Sequence, residues 1–127
     1  MTENEIGTKV VASAIRVHRE LGPGLLESVY EVALEQELRL SGLSVERQVP
    51  IPIQYRGISF NEGFRADIIV AGKIILELKS VEAVSGVHKK QIQTYLRLTS
   101  MKLGYLLNFG AALMKNGITR CVNGLEE

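Results

Sequence analysis

The stretch from Asp67 to Lys79 (Asp-Ile-Ile-Val-Ala-Gly-Lys-Ile-Ile-Leu-Glu-Leu-Lys) limits what this chain can fold into more than any other. It reads as two apolar strands joined by a tight turn at Ala71-Gly72. Aliphatic residues fill both strands, as in the middle of a sheet covered on both faces. Three charged groups interrupt them: Asp67 at the start, Glu77 and Lys79 at the end. A carboxylate or ammonium inside a sheet is costly unless it is paired or bound to a metal. Two carboxylates can hold a hard divalent cation through oxygen ligands. A lysine beside them can orient a nucleophile or offset charge on a phosphoryl group. The pattern points to metal-assisted attack on a phosphodiester.

Register decides whether these groups can meet, because side chains alternate faces along a strand. A two-residue loop at Ala71-Gly72 sets Asp67 opposite Leu76 and sends the two carboxylates to opposite faces. A three-residue loop, Val70-Ala71-Gly72, sets Asp67 opposite Ile75 and on the face of Glu77. Such a loop commonly ends in a left-handed residue, which suits Gly72. The expectation is therefore the odd-length loop, or a bulge near Asp67.

At 127 residues the chain is read as one domain, 1–127, large enough to bury a core. Hydrophobic content of 46% with three prolines argues for a globular fold rather than disorder. The formal net charge of +1 provides no global field toward nucleic acid, so any such contact must use a local patch. Cys121 is the single cysteine, which excludes an intrachain disulfide framework and a cysteine metal cluster and fits a cytoplasmic location. The acidic, polar start Met1–Glu5 is unlike a signal peptide, and no apolar run is long enough to span a bilayer, so no membrane role is expected.

Thr2 and Glu5 match a capping box for a first helix with the stripe Val10, Val11, Ala14, Ile15, His18 and Leu21, ended by Gly22-Pro23-Gly24. His18 reads as a helix-end histidine rather than a ligand. A second helix carries Leu26, Val29, Tyr30, Ala33, Leu34 and Leu38 on its apolar face, with Glu27 in its first turn. Glu31, Glu35 and Arg39 read as its solvated face. Val45 to Tyr55 alternates strictly: Val45, Arg47, Val49, Ile51, Ile53 and Tyr55 take one side. Pro50 and Pro52 on the other side predict an edge strand. The return strand starts at Ile58, and Gly63 is the candidate bend that aims Asp67. Ser85 is the expected N-cap of a third helix, in which Ile92, Tyr95, Leu96 and Thr99 form the buried stripe. His88, Gln91 and Tyr95 lie along one side of it. His88, Lys89 and Lys90 form the basic cluster close to the acidic centre in sequence and, with Tyr95, are the candidates for nucleic-acid contact. Leu103–Gly110 reads as a buried strand, and Ile118–Val122 as a final strand or extended tail. Cys121 reads as a small hydrophobe.

Two features together resemble a known family. Gly24-Leu25-Leu26-Glu27-Ser28-Val29-Tyr30 fits G-x-x-E-x-x-Y, and Asp67 followed by Glu77-Leu78-Lys79 fits the D…(D/E)-x-K signature of the PD-(D/E)XK nuclease superfamily. The chain resembles a GxxExxY protein of that superfamily over nearly its whole length. The resemblance implies an α/β (α+β) fold with a restriction-endonuclease-like α-β-β-β-α-β core, a mixed central sheet flanked by helices. It also implies a divalent-metal site using Mg²⁺, or Mn²⁺ in its place. Asp67 and Glu77 resemble the metal-binding carboxylates, and Lys79 the catalytic lysine. Glu27 resembles the additional acidic residue from the first core helix, and Gln91 the polar residue from the helix after the ExK strand. Ala66 stands where the signature has proline.

Three functions follow in order of preference. The first is an Mg²⁺-dependent nuclease acting on DNA rather than RNA. The second is a nucleic-acid-binding module on a nuclease scaffold without turnover. The third is an interaction protein that self-associates through its edge strand or first helix, with Asp67, Glu77 and Lys79 as a structural ion-pair network.

Overall fold

In the computed structural model, residues 1–126 are described. Helix α1 (Glu3–Leu21) starts where its capping box directs: Glu5 N–H donates to Thr2 Oγ1, and Thr2 N–H donates to Glu5 Oε1. Helix α2 (Glu27–Leu40) follows, then strands β1 (Val45–Tyr55), β2 (Ile58–Val70) and β3 (Ile74–Lys79). Helix α3 (Gly86–Thr99), with Ser85 as N-cap, crosses over to β4 (Leu103–Asn108), and a short 3-10 turn (Met114–Gly117) leads into β5 (Ile118–Val122).

The five strands lie in sequence order, β1-β2-β3-β4-β5. All neighbours are antiparallel except β3 and β4, which run parallel because helix α3 carries the chain back across the sheet. The sheet is thus mixed, β1 is an edge strand as its prolines require, and the expected α-β-β-β-α-β order is present with β5 added at the far edge.

Two apolar layers cover the sheet. On one face, Ile6, Val10, Ala14 and Val17 of α1 and Tyr30, Leu34 and Leu38 of α2 pack on Ile68, Val70, Ile74, Leu76 and Leu78. On the other, Ile92 and Leu96 of α3 pack on Ala66, Ile69 and Ile75. Covering on both faces is why β3 and β4 read as largely apolar runs rather than alternating ones.

The helical stripes differ in detail from the sequence expectation. Val17 is buried and Leu21 is exposed, so the buried stripe of α1 is rotated from the expected one. Helix α2 begins at Glu27, which leaves Leu26 and Val29 exposed, while Glu31 turns inward and is buried. His18 is buried with Nε2 2.8 Å from the carbonyl of Ala111, a satisfied core histidine.

Tyr30 ties the α1–α2 turn to the sheet. It is fully buried and stacks on Phe109 with ring centroids 4.6 Å apart. Its hydroxyl donates to the carbonyl of Gly22 and accepts from Leu25 N–H at 3.1 Å. Gly24, at φ +100°, supplies the left-handed step that the turn needs. Ser80 Oγ donates to the Leu25 carbonyl at 2.7 Å, fastening the same turn to the end of β3. The glycine and tyrosine of the G-x-x-E-x-x-Y stretch therefore fix where Glu27 starts its helix. Tyr30→Phe keeps the ring stack and removes both hydroxyl bonds, so a loss of about 1–3 kcal/mol is expected in urea unfolding. A change below 0.5 kcal/mol would show that water replaces the hydroxyl at no cost.

Candidate active site

Strands β2 and β3 are paired only at Ile68–Leu76, Ile69–Ile75 and Val70–Ile74. The loop between them has the expected odd length but is Ala71-Gly72-Lys73, one residue later than expected. Ala71 and Gly72 both have positive φ, +53° and +65°, and Lys73 N–H donates to the Val70 carbonyl at 3.0 Å. These are the features of a primed hairpin turn, with Val70 kept in the strand. Continuing the register sets Asp67 opposite Glu77 rather than Ile75. The two carboxylates therefore come from facing positions on neighbouring strands.

At that point the ladder stops and the strands part. Each carboxylate binds the backbone of the other strand: Leu78 N–H donates to Asp67 Oδ2 at 2.8 Å, and Asp67 N–H donates to Glu77 Oε1 at 3.4 Å. Side-chain oxygens stand where ladder bonds would have continued. Glu77 is 7% exposed, and its carboxyl is pushed up to about 9. Burial is the main cause, and the adjacent Asp67 charge adds to it. The Asp67 N–H bond and the Lys79 charge pull the other way and do not win. Without a cation between them, the pair therefore keeps a proton at neutral pH.

Strands β1 and β2 change faces at the same level. Val45 belongs to the layer under α1 and α2, yet Val49 and Ile51 pack with the α3 layer. On β2, Ile68 lies in the first layer and Ala66 in the second. The β1–β2 register runs Arg47–Ile68 and then Val49–Ala66, skipping Gln48 and Asp67. Gln48 has φ +52°, a left-handed backbone held by a non-glycine residue. That step breaks the alternation expected for Val45–Tyr55, so two successive side chains reach the same helix. Gln48 Nε2 donates to Glu31 Oε1 at 2.7 Å, and Arg47 bonds Glu31 Oε2 at 3.4 Å and Glu35 Oε1 at 3.0 Å. Strain of this kind costs about 1–3 kcal/mol and clusters at functional sites. Gly63 does not aim Asp67. The bulge sits further out, where Pro52 alone faces Asn61, Glu62 and Gly63, and the Ile53 side chain covers Gly63.

Asp67 joins two groups of side chains. On the α2 side, Glu27, Ser28, Glu31, Gln48, Asp67 and Leu78 line a pocket of about 220 Å³. Glu31 there has its carboxyl raised by burial, with the Asp67 charge contributing and Gln48 and Arg47 opposing. On the α3 side, Glu77 and Lys79 share a strand face by their spacing, and the Tyr95 hydroxyl is raised by burial and by the charges of Glu77 and Asp67. Tyr95 stacks on Phe64, centroids 3.8 Å apart and 2° from parallel.

The expected site residues divide accordingly. Asp67 and Glu77 are in contact, with Lys79 next along the strand and Tyr95 within electrostatic reach. Glu27 reaches the pocket from the exposed first position of α2. His88 is turned into the cap of α3, its Nδ1 accepting from Ser85 N–H at 3.3 Å. Lys89, Lys90 and Gln91 lie exposed on the first turns of α3. Glu31 and Gln48 were missed. The i,i+4 pattern of Glu31, Glu35 and Arg39 matches a solvated face, and no local signal marks the left-handed turn of Gln48.

Among the described residues no group of three or more His, Cys, Asp or Glu side chains is placed to hold a metal ion. Mg²⁺ does not require one: it is commonly held by one or two carboxylates with water and substrate oxygens completing its shell. The touching Asp67–Glu77 pair is a hard oxygen donor set of that kind. A buried carboxyl that retains a proton for want of a counter-charge is what a cation would relieve.

Comparison with known proteins bears on the fold and the family. The crystal structure of SSO0001 shares the fold, with a TM-score of 0.55 at 22% identity, over 95% of this chain and 67% of that one. No curated protein matches the chain. The sequence profile of the PD-(D/E)XK nuclease superfamily matches residues 4–121, from the first turn of α1 to β5. A match that runs through both helical layers and every strand leaves one assignment: this chain belongs to the PD-(D/E)XK nuclease superfamily.

Proposed function

We propose that the protein is an Mg²⁺-dependent nuclease of the GxxExxY group that hydrolyses phosphodiester bonds in DNA. The single observation that carries this reading is the Asp67–Glu77 contact at the point where β2 and β3 part, with Lys79 one step further along the face of Glu77. Asp67 and Glu77 would hold the cation, with Glu27 joining directly or through water across the pocket. When bound, a divalent cation supplies a more acidic water and offsets charge on the scissile phosphate. Lys79 orients the attacking water and stabilises the negative charge that develops on the phosphoryl oxygens. Gln91 and Tyr95 contact the substrate from α3, and Lys89 and Lys90, exposed beside them, take phosphate oxygens. His88 adds a polar contact at the helix start.

The test is a metal titration by calorimetry paired with cleavage of single- and double-stranded DNA and RNA. Cation uptake that disappears in Asp67→Asn, together with Mg²⁺- or Mn²⁺-dependent cleavage, is expected. Uptake without cleavage of any substrate would leave a binding module. The observation that favours that second reading is the pocket with Glu27 at its exposed edge and, among the described residues, no group of three or more His, Cys, Asp or Glu side chains placed to hold a metal.

A further inference from the structure

The β1–β2 ribbon continues well beyond the level at which β2 leaves β3. Every residue from Gln54 to Gly63 is exposed, so this end stands clear of both helical layers. Isolated two-stranded ribbons are marginal in water, and exposed ones are normally polar. This one is not. Tyr55 is paired with Ile58 and Ile53 with Phe60, which puts all four side chains on one face. Tyr55, Ile58 and Phe60 are exposed by 61, 56 and 47%. The neighbouring cation, Arg56, lies over the Tyr55 ring at 5.7 Å. Arg65, further in, is already held by Glu62 through two bonds of 2.7 and 3.0 Å.

That composition selects among ligands. A duplex presents its phosphates outward, and holding it takes several cations. The distal ribbon offers one unpaired guanidinium, two aromatic rings and an isoleucine. Ring faces and apolar edges match unpaired bases, whose own faces are open for stacking. Position points the same way. The ribbon grows from the site itself, since Gln48 and Asp67 stand at its base. Phe60 is seven residues from Asp67 along β2, roughly 20 Å at strand rise. A strand lying on the site can reach the tip with at most about six nucleotides, the number needed at the 3.4 Å per-strand rise of a duplex, and fewer when it is extended.

We propose that the distal β1–β2 ribbon is a single-stranded DNA-binding arm, with Tyr55 and Phe60 stacking on unpaired bases and Ile58 packing beside them, at most about six nucleotides from the bond held at Asp67. This rests on the nuclease reading of the site for its register, but its test can be separated from it. The full chain and its Tyr55→Ala/Phe60→Ala variant are compared in three assays. The first is fluorescence anisotropy with a labelled 20-nucleotide single strand and the matching duplex, with Ca²⁺ as the cation. The second is Mg²⁺- and Mn²⁺-dependent hydrolysis of the same strand and of bis(p-nitrophenyl) phosphate, which is too small to reach the arm. The third is sedimentation of the free protein. Both side chains are exposed, so the variant keeps its fold.

Expected is a loss of single-strand affinity of about tenfold or more, with duplex binding weaker throughout and hydrolysis of the small ester unchanged. Tyr55→Phe should restore most of the binding contributed by Tyr55, because the ring does the stacking. Equal single-strand binding by wild type and variant overturns the arm, and continued ester hydrolysis then leaves the nuclease reading intact. Tyr55-dependent binding without hydrolysis of any ester supports the arm and removes the nuclease. Preferential duplex binding, or a wild-type dimer that the variant dissociates with no strand bound, also overturns the proposal.

Discussion

Lys79→Ala is expected to reduce DNA cleavage by about 10²- to 10³-fold with the circular-dichroism spectrum and unfolding midpoint nearly unchanged. The fold should survive because main-chain bonds hold this end of β3. Lys79 pairs with Asn108 in the parallel ladder, and its carbonyl accepts from Phe109 N–H at 2.8 Å. Asn108 Oδ1 in turn accepts from Val81 N–H and Gly110 N–H, both at 3.0 Å. The side chain is free of such duties. Its charge restrains the rise of the Glu77 carboxyl but also repels a cation seated beside it, so alanine should not weaken cation uptake. Lys79→Arg separates the two effects. It keeps the charge, so metal affinity should match wild type, while the wider guanidinium should leave cleavage low. Full cleavage by Lys79→Ala in saturating Mn²⁺ would remove the lysine from the chemistry.

Glu77→Gln is expected to make the protein more stable at pH 8 in EDTA, by about 1–4 kcal/mol, while abolishing its response to Mg²⁺. A buried carboxyl is replaced by a neutral group of the same shape that can still accept from Asp67 N–H and donate to the Asp67 carboxylate. The pH dependence has a definite sign. In the unfolded chain a glutamate carboxyl titrates near 4.5, and in the folded protein Glu77 is raised to about 9. Between these values the folded state binds the extra proton, so wild-type stability in EDTA falls as pH rises from 4.5 to 9. The limiting slope from this group is about 1.4 kcal/mol per pH unit. Below that window its contribution to folding is undiminished, and above it the penalty is complete. The glutamine variant should show a flatter profile, and the two curves should converge toward low pH. Parallel curves in chemical unfolding across pH 5–9 would mean that Glu77 ionises freely in the folded state.

Much of this site was legible from one dimension. The aliphatic runs flanking Ala71-Gly72 indicated buried strands, and the charges at Asp67 and Glu77 required an odd loop if they were to meet. The loop is odd, displaced by one residue because Ala71 accepts a left-handed backbone that glycine was expected to take alone. The proline parity of Pro50 and Pro52 marked the edge strand. What stayed hidden is non-local. Glu31 is buried only because Gln48, seventeen residues later, turns its backbone and meets it. Leu26 and Val29 fit the apolar stripe of α2, but Tyr30 and its stacking partner Phe109 set the helix rotation instead. Periodicity reports which residues can share a face. It does not report a face that changes partway along a strand.

The double offset near Pro52 has a mechanical consequence. One residue on β1 is matched there against three on β2, while the pairs on either side of Gln48 and Asp67 keep strict correspondence. Irregularity is absorbed outside the acidic pair, and the ribbon beyond it is exposed from Gln54 to Gly63. Pairs of residues added to or removed from its end would lengthen or shorten its span without moving a carboxylate. In a scaffold laid out this way, the length of the ribbon becomes adjustable independently of the acidic pair at its root.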